Sequence, residues 1–241
     1  RAAEKDNRAE TCSLSVNAMG YEVILVSSGA IAVGRNKLKM KTQPTSMRHK
    51  QAAAAVGQCS IMFLYDKFFG DYDKTIGQIL LNAEDIEQEE KKDNLINTFD
   101  ALLEMGVIPI VNENDSVSYT EIESNDRLFG DNDMLSSVVA VLCRASKLVI
   151  FSDIDGFYNC DPRLHPDAKL IEEIDKIDDE VYKLAGGAGS RRGTGGMRTK
   201  LQAAALATSQ GIDTIITNGK NPAALYDIIE GVPVGTKFKA Q

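Results

Sequence analysis

Short apolar runs alternate with longer segments of helical periodicity along most of this 241-residue chain. The run at residues 107–111 is typical of a buried strand, and the segments on either side of it carry apolar residues at helical spacing. Such alternation predicts parallel strands joined by right-handed crossovers, with helices on both faces of the sheet. We therefore expect an α/β fold, a three-layer α/β/α sandwich around a mainly parallel central sheet.

The predicted elements follow one another in a regular order. Strands are predicted at residues 22–26, 75–81, 107–111, 147–151 and 213–217. Helices are predicted at residues 46–69, 85–104, 133–144, 197–209 and 223–229, with a further helix beginning after residue 29. Small or acidic polar residues follow three of the strands, so the sheet is expected to have one functional edge.

The composition argues against several classes of function. The net charge is −8 and there is no long basic run, so no nucleic-acid partner is expected. No apolar stretch approaches the length that spans a bilayer, so no membrane partner is expected. The four cysteines lie far apart, which is typical of reduced thiols in a cytoplasmic protein. Because the chain has only two histidines and no clustered thiols, we expect no zinc site and assign no metal-ligating residues.

Two short motifs rich in Asn and Asp flank one loop. Asn-Glu-Asn-Asp at 112–115 follows a predicted strand, and Gly-Asp-Asn-Asp at 130–133 precedes a predicted helix. Carboxylates pair with an ammonium group, whereas Asn and backbone N–H groups can receive a carboxylate. The combination predicts an amino acid as substrate. The alternative is that Asp115 lies in a turn and that Asp131 or Asp133 only caps a helix, which would explain one Asp of this group but not all.

The sequence Ser-Ser-Gly-Ala at residues 27–30 leads from a predicted strand directly into a helix. Gly29 lets the backbone approach a ligand, and the N–H groups of a helix start favour an anion. Taken alone, the segment is equally well explained as an ordinary Ser cap. Its place at the same predicted edge as the acidic motifs favours contact with a substrate carboxylate.

A glycine-rich segment, Gly-Thr-Gly-Gly-Met-Arg-Thr-Lys at residues 193–200, is predicted to be a turn leading into a helix. Successive backbone N–H groups can form an anion-binding concavity, and Lys200 adds a mobile charge. The spacing is not that of a Walker A loop. The alternative is a surface loop that ends in a capped helix. Asp153, which follows the strand at 147–151, is expected to face a nucleotide or its Mg²⁺. These features together predict phosphoryl transfer.

Five segments resemble the amino acid kinase superfamily and, within it, the glutamate 5-kinase family. The two Asn/Asp motifs are the most specific part, and they separate the chain from acetylglutamate kinase, aspartokinase and UMP kinase relatives. The segments are Ser-Ser-Gly-Ala-Ile-Ala-Val-Gly (27–34), Val-Asn-Glu-Asn-Asp (111–115), Phe-Gly-Asp-Asn-Asp (129–133), Ser-Asp-Ile-Asp-Gly (152–156) and Gly-Thr-Gly-Gly-Met-Arg-Thr-Lys (193–200).

The resemblance implies ATP- and Mg²⁺-dependent phosphorylation of the L-glutamate side-chain carboxylate to L-glutamyl 5-phosphate, the first step of proline biosynthesis. It also implies a homo-oligomer, dimeric or tetrameric, and proline as a feedback inhibitor. The domain would have an amino-acid lobe at about 1–146 and a nucleotide lobe at about 147–241. The connection at 116–129 is longer than usual, and we expect it to close over glutamate while proline competes for an overlapping pocket.

The resemblance also implies roles for individual residues at matching motif positions. Glutamate would be bound by Ser28, Asp115 and Asn132, with Asn112 and Asp131 lining the same pocket. ATP would be contacted by Ser152, Asp153, Thr194, Gly195, Gly196, Met197, Arg198, Thr199 and Lys200. Lys200 would neutralise the transferring phosphoryl group, and Asp133 would hold the catalytic lysines in place.

The chain departs from the family pattern in two respects. The family opens with a strand that bears a Val-Lys-x-Gly-type motif, and we expect this strand to be missing from the sequence. Many relatives carry a C-terminal RNA-binding (PUA) domain, whereas this chain resembles the short form. The first departure leaves an alternative function, a non-catalytic sensor of an amino acid or nucleotide. A sister kinase with a different acceptor is a further alternative.

Overall fold

The computed structural model of the protein describes residue 13 and residues 15–117, 132–185 and 194–241. The chain divides into two compact units. The first unit is Tyr21–Asn132, and the second unit combines Asp133–Gln241 with Arg1–Gly20. The division along the chain thus falls at residue 132. The assignment of an amino-acid lobe and a nucleotide lobe stays a prediction.

The first unit contains a sheet of three parallel strands in the order β1-β3-β2. Its central strand β3 is buried over almost its whole length, as expected for a parallel strand flanked by helices. The elements are β1 (Leu25–Val26), α1 (Ala30–Lys37), α2 (Met47–Gly70), β2 (Ile76–Leu81), α3 (Ala83–Glu87), α4 (Glu89–Glu104) and β3 (Ile108–Glu113).

The second unit contains a four-stranded sheet in the order β4-β6-β7-β5. The pairs β4–β6 and β5–β7 are parallel, and the pair β6–β7 is antiparallel. Its elements are α5 (Asn132–Leu142, whose first residue ends the first unit), β4 (Lys147–Ser152), β5 (Glu173–Ile174), α6 (Asp179–Ala185), α7 (Thr194–Ser209), β6 (Asp213–Asn218), α8 (Ala224–Glu230) and β7 (Thr236–Phe238). None of the helices in the described ranges is both long and apolar enough to cross a membrane.

The mainly parallel α/β class predicted from the sequence is confirmed, with some changes in the elements. Strand β3 continues to Glu113, so the first residues of the Asn-Glu-Asn-Asp motif belong to the strand. The helix predicted at 85–104 is two helices, because Gln88 leaves the helical conformation (φ −89°, ψ 111°). Helix α7 begins at Thr194, so Gly195 and Gly196 lie in its first turn and not in a preceding loop. The short elements β5, α6 and β7 were not predicted.

Helices α1 and α2 touch through their backbones. A Cβ atom on Gly34 would overlap the carbonyl oxygen of Ala53, and one on Gly57 would overlap that of Ala30. Only glycine permits this approach. Small and aliphatic side chains fill the space beside the contact, among them the buried residues Ala30, Ala54 and Ile61. The contact holds the start of α1 against the middle of α2. The start of α1 therefore lies beside Gln58, the residue that follows Gly57.

Candidate active site

The carboxyl edge of the first sheet brings together the Ser-Ser-Gly-Ala segment at 27–30 and the Asn-Glu-Asn-Asp motif at 112–115. Val26 at the end of β1 pairs with Val111 in β3, so the residues that follow each of them are neighbours. The Ser27 N–H donates to the Val111 carbonyl at 2.8 Å. The Ser27 hydroxyl lies 3.3 Å from that of Tyr65 in α2. Ser27 is buried, whereas Ser28 is exposed. The edge that an α/β sheet uses for ligands thus carries the small polar residues.

Helix α1 starts directly after a glycine. Gly29 occupies the N-cap position with φ 86° and ψ 14°, a left-handed conformation that suits glycine. The N-cap residue is a glycine, and among the described residues no side-chain hydrogen bond caps this helix, so the interpretation of this segment as an ordinary Ser cap is wrong. Uncapped N–H groups at a helix start, together with the helix dipole, favour an anion.

The side chain of Asn112 is hydrogen-bonded to neighbouring groups of the protein. Its side chain is buried, with 2% exposure. Its Oδ1 accepts a hydrogen bond from the Glu113 N–H at 2.9 Å, and its Nδ2 donates to Oε1 of Gln58 at 2.9 Å. Gln58, the residue after Gly57, is the residue of this edge that the sequence reasoning missed. The sequence pattern that could have identified Gln58 is a polar side chain next to a glycine in the apolar part of a long helix.

A small cavity of about 20 Å³ opens beside the end of β3. This volume is enough for one water-sized group. Its lining is Ala30, Ala54, Ala55, Gln58, Leu80, Glu113, Asn114, Asp115 and Ser116. Asp115 therefore lines a cavity and also lies in a turn, in which the Val117 N–H donates to the Asn114 carbonyl at 3.1 Å. The two interpretations of Asp115 are compatible.

Asn132, the last residue of the first unit, lies at the end of β1, because its Nδ2 donates to the Ser27 carbonyl at 2.9 Å. The predicted residue Asp131 and the predicted regulatory connection from residue 118 onward lie outside the described residues. Five residues were predicted to bind glutamate, and three of them lie at this edge. Asn112 and Asn132 form side-chain hydrogen bonds there, and Asp115 lines the cavity.

In the second unit, Lys200 and Asp133 form an ion pair. Nζ of Lys200 donates to Oδ2 of Asp133 at 2.7 Å. The two side chains are only 15% and 17% exposed. Asp133 lies in the first turn of α5, where a carboxylate is favoured by the helix dipole. The contact that the sequence implied between these residues is present, and their catalytic roles stay predictions.

The carboxyl ends of β4 and β6 lie side by side, with Ser152 paired to Asn218. Asp153 is exposed at this edge, and the Ser152 hydroxyl donates to its Oδ1 at 3.2 Å. Asp155 is held in place, because Asn218 Nδ2 donates to it at 2.7 Å and the Tyr158 hydroxyl at 3.1 Å. Partial burial, and then the Asp155 carboxylate, raise the pKa of Tyr158 above its ordinary value. The sequence reasoning did not identify Asn218.

The glycine-rich segment forms the first turns of α7. Arg198 is exposed, and the Thr199 hydroxyl donates to the Gly196 carbonyl at 3.1 Å. The buried face of the helix carries Leu201, Ala203, Ala204 and Ala207, which belong to the core of this unit. The helix is thereby anchored, and its first turns present Lys200 to Asp133. The predicted turn before Thr194 lies outside the described residues.

Comparison with known proteins decides the family. The family model described as "Amino acid kinase family" matches residues 4–218. The chain belongs to the amino acid kinase family. Among the curated members, it is 55% identical to "Glutamate 5-kinase" of Clostridium perfringens over 223 residues, 92% of this chain and 82% of the relative. It is 52% identical to "Glutamate 5-kinase" of Clostridium tetani (92% and 81%) and 49% identical to that of Listeria innocua (92% and 80%).

Solved structures of kinases have the same fold as this amino acid kinase. Carbamate kinase from Giardia lamblia bound to AMP-PNP superposes with a TM-score of 0.63 at 18% identity, covering 99% of this chain and 94% of that one. UMP kinase from Ureaplasma parvum superposes with a TM-score of 0.59 at 14% identity, covering 96% and 88%. These matches confirm the fold class.

Proposed function

We propose that this amino acid kinase transfers the γ-phosphoryl group of ATP to the side-chain carboxylate of L-glutamate, which is the first step of proline biosynthesis. The observation that carries the proposal is the 55% identity to a curated glutamate 5-kinase over 92% of the chain. A carboxylate oxygen of glutamate attacks the γ-phosphorus, the bond to the β,γ-bridging oxygen breaks, and ADP leaves. Because the acceptor is already an anion, the reaction needs no general base.

The demands on the protein are therefore positioning and neutralisation of charge. We propose that Ser28, Asp115 and Asn132 bind glutamate, with Asn112 and Asp131 in support. The acidic lining of the cavity near Asp115 suits the ammonium group of an amino acid. The uncapped start of α1 suits one of its carboxylates.

Lys200 is proposed as the cation that neutralises the transferring phosphoryl group, with Asp133 as its positioning residue. The 2.7 Å ion pair supports this role, since it holds a long, flexible side chain in one place. The remaining contacts to ATP are proposed for Ser152, Asp153 and the helix start at residues 194–199. An exposed carboxylate and a helix start are groups that can contact a triphosphate and its cation.

Mg²⁺ is proposed as the ion that accompanies ATP. In kinase sites Mg²⁺ usually keeps several waters and takes one or two carboxylates together with the substrate phosphates. The donor set of the second unit fits such an ion, because Asp153 offers an exposed carboxylate beside the Ser152 hydroxyl. When bound, Mg²⁺ would neutralise part of the phosphate charge.

We also propose proline as a feedback inhibitor that competes with glutamate, a homo-oligomeric assembly, and a cytoplasmic location. The three cysteines that the structure describes are all free thiols, which suits a reducing compartment.

Saturating proline should raise the apparent KM for glutamate and leave kcat unchanged. An unchanged KM would refute competition. Light scattering would give the subunit number.

The activity is tested by following ADP release from the full-length protein with ATP, Mg²⁺ and L-glutamate. The product is an acyl phosphate, so hydroxylamine should trap it as a hydroxamate. Faster turnover with aspartate, acetylglutamate or UMP would assign the protein to a sister kinase. Calorimetric binding of L-glutamate without any ADP release would favour the non-catalytic sensor.

A further inference from the structure

A chain of three amide groups fixes the orientation of the Gln58 side chain. The Glu113 N–H can only donate, so the atom of Asn112 that faces it at 2.9 Å is the oxygen. The nitrogen of Asn112 then donates at 2.9 Å to Gln58, which must present its own oxygen. The two N–H groups of Gln58 Nε2 consequently point away from Asn112.

This nitrogen is a buried donor. Gln58 is 8% exposed, and Nε2 has no hydrogen-bond partner in the part of the chain that the structure describes. A buried donor that lacks an acceptor costs free energy and is rare in native proteins. A bound ligand that supplies a hydrogen-bond acceptor would satisfy Nε2 of Gln58 and would explain why a polar side chain occupies this buried position.

Gln58 also lines the small cavity beside β3, together with Asp115 and with Ala30, the first residue of α1. An amide N–H₂ group and the start of a helix both favour an anion, whereas Asp115 favours a cation. The residues around the cavity thus suit both an anion and a cation. An amino acid carries both charges at one end, where its ammonium and α-carboxylate share one carbon. The cavity itself, at about 20 Å³, has room for one water-sized group such as a carboxylate oxygen.

We propose that Gln58 donates a hydrogen bond from Nε2 to the α-carboxylate of the acceptor amino acid, and that Asn112 orients it for this contact. Gln58 is then a specificity-determining residue for acceptors that carry an α-carboxylate. The inference rests on the proposed function, because it concerns the acceptor of the same reaction.

The first test is Gln58→Glu, which keeps the oxygen that Asn112 binds and replaces the donor with a second carboxylate oxygen. The KM for L-glutamate should rise by about 10- to 100-fold, the effect of losing a hydrogen bond to a charged group. The KM for ATP should stay unchanged, and kcat should change only a few-fold. The matched control is Gln210→Glu, the same chemical change at an exposed residue directly after α7. It should leave all three constants unchanged.

The second test changes the ligand. The compound 4-aminobutyrate keeps the ammonium and the side-chain carboxylate of glutamate but lacks the α-carboxylate. Calorimetry should show that Gln58→Glu weakens binding of L-glutamate by about 10- to 100-fold and changes binding of 4-aminobutyrate much less. If an ordered water satisfies Nε2 instead, the ratio of the two affinities will be the same in wild type and variant, and the proposal is overturned.

A second variant protects the test against a folding defect. Gln58→Met removes the donor without adding charge, and it should also narrow the preference for L-glutamate over 4-aminobutyrate. Thermal unfolding would identify a misfolded variant. If wild type releases no ADP with L-glutamate, the proposed function fails. If wild type turns over L-glutamate and both folded variants keep its KM and the affinity ratio, only the Gln58 inference fails.

Discussion

Replacement of Lys200 by Met tests whether the ion pair with Asp133 serves catalysis or only the stability of the fold. A preorganised charge that acts mainly in the transition state is worth roughly 3 kcal/mol, so kcat should fall by about 100-fold or more. The KM values should change less, since the contact is made chiefly in the transition state. Steady-state ADP release with L-glutamate and ATP measures both constants.

The same substitution should also lower the free energy of unfolding. It removes the ammonium that lies 2.7 Å from a carboxylate of 17% exposure. A hydrogen bond to a charged group contributes about 1.5–3 kcal/mol, and urea unfolding would measure the loss. A matched control is Lys237→Ala, which removes the cation of the more exposed pair with Asp213, 2.8 Å apart. This control should cost under about 1 kcal/mol and leave kcat unchanged.

The double variant Lys200→Met with Asp133→Asn decides between the two interpretations of the pair. When both charges are removed, no partly buried carboxylate is left without a cation, so much of the lost free energy of unfolding should return. If Lys200 acts on the phosphoryl group, kcat will stay about 100-fold low in the double variant. Recovery of kcat together with stability would refute the catalytic role and make the pair a structural contact.

Three further predictions concern single substitutions. Asp115→Ala should raise the KM for L-glutamate by about 10-fold or more and alter kcat less, because its proposed partner is the fixed ammonium of the substrate; an unchanged KM in folded protein would contradict this role. Gly57→Ala should lower the free energy of unfolding by about 1–3 kcal/mol, because the new Cβ would overlap a carbonyl oxygen of α1. Gly70→Ala in the same helix, where nothing lies within 4 Å, should be neutral or stabilising in urea unfolding, and equal losses would argue against the backbone contact. Burial alone would raise the pKa of Asp213, but hydrogen bonds from Lys237 and a backbone N–H lower it below its ordinary value. The Asp213 contribution to stability is thus present above about pH 3.9, the pKa of an unfolded Asp, and is lost as the pH falls through the folded pKa. The free energies of unfolding of wild type and Lys237→Ala, measured in urea, should converge as the pH falls from about 4 through the folded pKa of Asp213, and a constant difference would contradict this.

Most of the fold class could be predicted because periodicity is a local property. The parallel strand at Ile108–Glu113 and the long helix at Met47–Gly70 are close to their predicted ranges. The elements that were missed are short, such as β5 with two residues and β7 with three, and too few residues repeat to show a period. The antiparallel pairing of β6 with β7 was also missed, since alternation of strands and helices predicts only parallel neighbours.

The sequence by itself determined the α/β alternation and the kinds of side chain that follow each strand, because both depend on residues that are neighbours in the chain. The resemblance to the family also implied that Asp133 holds Lys200 in place, and the structure shows this contact as an ion pair between residues 67 positions apart. Only the tertiary structure decided that Asn112 orients Gln58 across 54 positions. The glycine contact between α1 and α2 in turn places the start of α1 beside Gln58. Contacts of this kind follow from how helices and strands pack, and no local pattern of residues encodes that packing.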